Sequence, residues 1–136
     1  MGVMLAGGAA AIKVDRMNGN AVADAGVPFS ESKLAALRAA GKPVFLYFTA
    51  DWCLTCKVNE KSAIDTRVAQ AAFKDGGVTV MTGDWTNGDA AITRFLSEHG
   101  ASGVPLYLYY PKGGGEPKQL PQILTPGLLA GLTQTP

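Results

Sequence analysis

The chain's two cysteines, Cys53 and Cys56, stand with two residues between them, directly behind the apolar run Pro43-Val44-Phe45-Leu46-Tyr47-Phe48. The run is apolar throughout, as expected of a strand covered on both faces. A buried strand that delivers Cys-x-x-Cys to the start of a helix is an arrangement for reversible thiol–disulfide chemistry. The helix N-terminus carries partial positive charge and unpaired N–H groups, which favour a thiolate at the first cysteine. A stabilisation of about 1–2 kcal/mol lowers a thiol pKa by roughly one unit from about 8.5, leaving a useful fraction of Cys53 ionised near neutral pH. Three other uses of the pair compete. As a structural staple it would close a tiny loop, for roughly 2 kcal/mol in the chain-entropy model. A zinc site needs four ligands and only His99 could join the two sulfurs, so it would require a second chain. Two inert thiols are the remaining alternative.

Size and charge narrow the class. A chain of 136 residues fits one domain and can bury a core without cysteine staples. Hydrophobic residues at 47% against 17% charged are ordinary for a compact soluble domain. A net charge of +1, with Lys and Arg scattered, argues against a nucleic-acid or membrane-surface footprint. Val3–Ile12 is apolar but too short to span a bilayer, and Met1-Gly2 supplies no basic start for a signal peptide.

Along the chain, residues 1–27 read as a Gly-interrupted lead-in, with a short strand near Ile12–Val14, and 28–136 as the folded domain. Ser30 caps a helix through Leu34, Leu37 and Ala40 that ends at Gly41. Strand Val44–Phe48 follows, then a helix from Cys53 past Glu60. Asp65 or Thr66 caps a further segment ended by Gly76-Gly77. Val78–Trp85 reads as a buried strand, and Asp89 or Asn87 opens a helix with Ile92, Phe95 and Leu96 on one face. Pro105–Tyr110 is a strand, Gly113-Gly114-Gly115 a turn and Lys118–Ile123 the hairpin partner. Thr125-Pro126 begins the last helix. The order is α-β-α-β-α-β-β-α, parallel strands first and an antiparallel pair after.

That order, with Cys-x-x-Cys at the head of the second helix, resembles thioredoxin over about residues 28–135. Phe48-Thr49-Ala50-Asp51-Trp52-Cys53-Leu54-Thr55-Cys56-Lys57-Val58-Asn59-Glu60, with Gly103-Val104-Pro105-Leu106-Tyr107 and Leu120-Pro121-Gln122-Ile123-Leu124-Thr125, narrows it. These segments resemble the C-terminal thioredoxin-like domain of the DsbD family of thiol:disulfide interchange proteins, including its ScsB branch. The resemblance implies an α/β thioredoxin fold, a central mixed β-sheet flanked by helices. It implies a protein-disulfide reductase facing the periplasm, with no metal or organic cofactor beyond the redox-active Cys53–Cys56 disulfide. Electrons would come from a transmembrane domain of the same or a companion protein and pass to a periplasmic partner. The soluble domain would then be a fragment of an inner-membrane protein, with natural sequence preceding Met1. The alternatives are a free-standing thioredoxin-like reductase or isomerase, and a metal-binding module using the cysteine pair in a dimer.

The resemblance also assigns roles. Cys53 is the attacking thiolate and Cys56, one turn inward, the resolving thiol. Leu54 and Thr55 between them include neither His nor Pro, which suggests a moderately reducing centre. Trp52 flanks the site, and Asp51 and Lys57 read as solvated charges. Glu60, four residues after Cys56, shares its helical face, and in the family an acid here influences the buried thiol's protonation. The family's usual buried Asp, six residues before the first cysteine, is replaced by Tyr47, a poor proton acceptor near pH 7. Pro105 matches the family's cis-proline, leaving the Val104 backbone to pair with an extended partner segment. His99 reads as a charge at a helix C-terminus, and Asp84-Trp85 as the end of the strand beside the site.

Overall fold

The structure, a computed structural model, describes residues 26–134. The expected strand near Ile12–Val14 lies outside them. The elements run β1 (Val27–Pro28), α1 (Glu31–Ala39), β2 (Val44–Thr49), α2 (Leu54–Asn59), α3 (Arg67–Asp75), β3 (Thr79–Asp84), α4 (Ala90–Glu98), β4 (Leu106–Tyr110), β5 (Lys118–Gln119) and α5 (Pro126–Leu132). Ser30, Thr66, Asp89 and Thr125 cap α1, α3, α4 and α5, each accepting from a backbone N–H in the first turn.

The strands form one mixed sheet in the order β1-β3-β2-β4-β5. β3 lies parallel to both β1 and β2, whereas β4 is antiparallel to β2 and to β5. β2 occupies the centre and is buried at every position. Its alternation divides the core into two layers. Phe45 and Tyr47 face one side with Tyr107, Tyr109, Ile64, Phe73, Leu129 and Leu132. Val44, Leu46 and Phe48 face the other with Leu34, Met81, Ile92, Phe95 and Leu96. This is the expected thioredoxin fold. Val27, the last residue of the lead-in, already pairs with Met81. At Gly83 on β3, a Cβ would collide with the Phe48 ring, so only glycine fits beside the strand that carries the site.

Three expectations change in detail. The hairpin partner of β4 is only Lys118–Gln119, because Leu120 turns into the core and Pro121 has no N–H for a ladder. β3 is half-exposed at several positions and not a fully buried strand, since only the two-residue β1 covers its outer edge. The cysteine helix does not continue past Glu60 as regular α-helix. A π turn spans Glu60–Ile64, with the Asp65 N–H donating five residues back to the Glu60 carbonyl at 2.8 Å. The wider turn places Ala63 and Ile64 in the core.

Candidate active site

Cys53 is the N-cap of α2, with extended backbone and a sulfur that accepts the Cys56 N–H at 3.1 Å. The two cysteines are joined in a disulfide, their Cα atoms 5.3 Å apart. Cys53 retains 8% exposure, whereas Cys56 has none. An incoming group would therefore reach Cys53 first.

The approach to the cysteines is held by the end of β3. Thr86 accepts the Asp51 N–H on its hydroxyl at 2.8 Å and the Trp52 indole N–H on its carbonyl at 3.1 Å. Thr86 itself donates its hydroxyl and backbone N–H to the Asp84 carboxylate, at 2.6 and 2.9 Å. These bonds, the side-chain one first, hold the Asp84 pKa below its usual value, with Lys57 adding attraction and burial opposing. Trp52 is 61% exposed, its ring 6.0 Å from that of Trp85. Trp85 is fixed in turn by its N–H to the Thr49 carbonyl at 2.7 Å and its indole N–H to Thr93 at 2.8 Å. Asp84-Trp85 thus does flank the site. Leu54 and Val58, one helical turn apart on α2, are also exposed, so an apolar surface borders the disulfide.

Val104 packs against the cluster of Ala50, Cys53 and Cys56. The Val104–Pro105 peptide bond is cis, as the family resemblance implied. Among the described residues neither the N–H nor the C=O of Val104 has a hydrogen-bond partner. The neighbouring Pro105 carbonyl is taken by the Gln122 side-chain amide at 2.9 Å.

Glu60 lies behind the helix. Its carboxylate accepts the Thr49 hydroxyl at 2.5 Å and pairs with Lys57 at 3.1 Å. Its N–H donates to the Cys56 carbonyl, so the shared helical face is real. The carboxylate faces a cleft of about 320 Å³ lined also by Tyr47, Asp51, Asp65, Thr82 and Asp84. Lys57 is thus an ion-pair partner and not an isolated surface charge. Burial pushes the Tyr47 phenol up to about 12, against a hydrogen bond with Thr82 and helped by the nearby Glu60 charge. The phenol remains protonated at neutral pH.

Four residues of this neighbourhood escaped sequence reasoning: Thr49, Thr86, Asn59 and Gln122. Asn59 carried a usable signal, because it follows Cys56 by three positions and so shares the buried face of α2. Thr49, Thr86 and Gln122 had none, since their partners lie on other elements. His99 caps α4, bonds the Phe95 carbonyl through Nδ1 at 2.9 Å and stacks on the Phe95 ring. Among the described residues no group of three or more His, Cys, Asp or Glu is placed to hold a metal ion.

A family model described as thioredoxin-like matches residues 26–112. The thiol:disulfide interchange protein DsbD 1 of Pseudomonas aeruginosa is 34% identical over 86 residues, 63% of this chain and 14% of that protein. DsbD of Salmonella typhimurium is 36% identical over 90 residues, 65% of this chain and 15% of that protein. The chain therefore spans about one-seventh of the length of these curated relatives. Among solved structures, the oxidised C-terminal domain of Neisseria meningitidis DsbD superposes with a TM-score of 0.64 at 22% identity, covering 81% of this chain and 97% of that one. A Thermus thermophilus thioredoxin gives 0.60 at 14% identity, covering 81% and 86%.

Proposed function

The chain belongs to the thioredoxin-like family, and from that premise we propose that it is a thiol–disulfide exchange domain that reduces disulfides in partner proteins. The observation that carries this reading is the Cys53–Cys56 disulfide at the start of α2, with Val104 packed against it. In the reduced form, the Cys53 thiolate attacks one sulfur of a partner disulfide. A Cys53–partner bond forms, and the partner's other sulfur leaves as a thiolate. Cys56, after losing its proton, attacks Cys53, closes the intramolecular disulfide and expels the second partner thiolate. The partner gains two electrons and two protons and this domain is left oxidised. Glu60 handles the Cys56 proton through the cleft it faces, since Tyr47 keeps its own. Trp52, Val104 and Pro105 receive the partner chain, the unpaired Val104 backbone offering both a donor and an acceptor to an extended segment.

The chain's similarity to DsbD supports placing this exchange in the periplasm, with residues 28–136 acting as the catalytic unit. There it would accept electrons from a transmembrane domain of the same or a companion protein. No helix among the described residues is long and apolar enough to cross a membrane. Leu54 and Thr55 add no positive charge beside Cys53, which favours a reducing centre. The test is equilibration with glutathione buffers while quantifying the Cys53–Cys56 disulfide, alongside reduction of insulin. We expect insulin reduction and a potential of about −200 mV or below. A potential near −120 mV, that of strong oxidants, would mean that the domain inserts disulfides instead.

A further inference from the structure

Asn59, the last residue of α2, is 2% exposed, unusually deep for an amide. One of its N–H groups donates to the Tyr107 hydroxyl at 2.9 Å and the other to the Gln122 carbonyl at 2.7 Å. Its oxygen accepts the Leu124 N–H at 3.1 Å. The side chain therefore grips residues 122–124 from both ends, with Ile123 left outside and 70% exposed. The gripped segment reaches back to the other half of the site, because the Gln122 side chain donates to the Pro105 carbonyl at 2.9 Å. Two hydrogen bonds thus connect the cysteine helix to the residue after Val104.

The sheet needs such a connection at this point. β5 pairs with β4 only at Leu108 and Tyr109, and the Leu120 N–H covers the Tyr107 carbonyl at 3.0 Å. Beyond that the ladder has ended, and the Pro105 carbonyl would be an open edge acceptor. Gln122 closes it with a side chain. Val104, packed against Cys53, has neither backbone group paired among the described residues, so a partner segment lying beside Cys53 would find both free.

We propose that Asn59 and Gln122 are positioning residues that hold the Val104–Pro105 segment in register with the cysteine helix, and so set how well an extended protein segment docks beside Cys53. The inference rests on the thiol–disulfide reading above and adds to it the device that aligns the two halves of the site. Its consequence is selective. A small disulfide that touches only Cys53 does not use the Val104 edge, whereas a protein disulfide does.

The experiment uses the full chain in reduced form and the variants Gln122→Ala and Tyr107→Phe. Each is assayed against insulin over a range of concentrations and against 5,5′-dithiobis(2-nitrobenzoate), with thermal unfolding measured in parallel. Gln122→Ala should raise KM for insulin about five-fold, the loss expected for one aligning hydrogen bond, and leave the small-disulfide rate within about two-fold. Tyr107→Phe removes a bond of the same cluster without touching Pro105. It should lower the melting temperature and leave the insulin KM in place. An unchanged insulin KM in Gln122→Ala overturns the proposal. So does a parallel fall of both rates, which would show the helix itself disturbed, or a KM that follows melting temperature in both variants. Failure of the unmodified protein to reduce insulin would instead remove the underlying function, and the proposal with it.

Discussion

The Thr49 hydroxyl donates to the Glu60 carboxylate at 2.5 Å, tying the last residue of the central strand to the first residue of the π turn behind the cysteine helix. The bond fixes where an acid can stand in this domain. Tyr47, earlier on the same strand, holds a phenol that stays protonated at neutral pH and lines the same cleft as Glu60. Lys57 completes the arrangement from the solvent side, its ammonium on the other carboxylate oxygen at 3.1 Å.

Substituting Glu60 by Gln should keep the fold and slow the second step of exchange. The Lys57 side chain is 43% exposed, so the ion pair contributes little and stability should change by no more than about 1 kcal/mol. Resolution of a Cys53 mixed disulfide should slow by about ten-fold or more, with a flattened pH–rate profile, as expected on losing a positioned acid–base group. Stopped-flow measurement between pH 5 and 9 checks this. An unchanged profile would return Glu60 to a purely structural part.

The two sulfurs should separate cleanly by role. Cys53→Ser removes the reachable nucleophile and should abolish exchange. Cys56→Ser should accumulate a mixed disulfide through Cys53, because no thiol remains to resolve it. Non-reducing gels with a disulfide-containing partner read both outcomes. Equal trapping by the two variants, or trapping through Cys56 alone, would reverse the assignment.

Replacing Asn59 by Ala should be costly. The Tyr107 hydroxyl, the Gln122 carbonyl and the Leu124 N–H would each lose a partner inside the protein. Unsatisfied buried groups of this kind cost about 1–3 kcal/mol each before relaxation, so a net loss of about 2–4 kcal/mol is expected. In a domain of this size that lowers the melting temperature by roughly 10 °C. Urea titration of the oxidised protein gives the value, and a loss under about 1 kcal/mol would mean that water replaces the amide at little cost.

Stability should fall at high pH within a defined window. Burial raises both Tyr47 and Tyr107 to about 12, above the ordinary phenol value of about 10. Below pH 10 both groups are protonated whether the chain is folded or not, and they add no pH dependence. Between about pH 10 and 12 the unfolded chain releases these protons while the folded one keeps them, so stability declines with rising pH. Chemical unfolding from pH 8 to 11.5, followed with phenolate absorbance, tests this. Early ionisation of all tyrosines without loss of structure would contradict it.

Much of this protein was legible in the chain itself. The unbroken apolar run Val44–Phe48 marked the central strand, and Ser30, Asp65 or Thr66, Asp89 or Asn87, and Thr125 marked helix starts, because capping and periodicity act over a few residues; the structure chose Thr66 and Asp89. The Cys-x-x-Cys and Val104-Pro105 segments are likewise local patterns, and the structure brings them together as the resemblance implied. The hydrogen-bond partners were decided only by tertiary packing. Asn59 bonds residues 48 and more positions away, and Thr86 reaches 35 back to Asp51. No local period encodes which polar side chain will find a partner across the sheet. The π turn and the two-residue β5 belong to the same class. Each deviates from a regular element so that Ile64 and Leu120 can enter the core, and that gain exists only once β2, β4 and α5 have assembled around them.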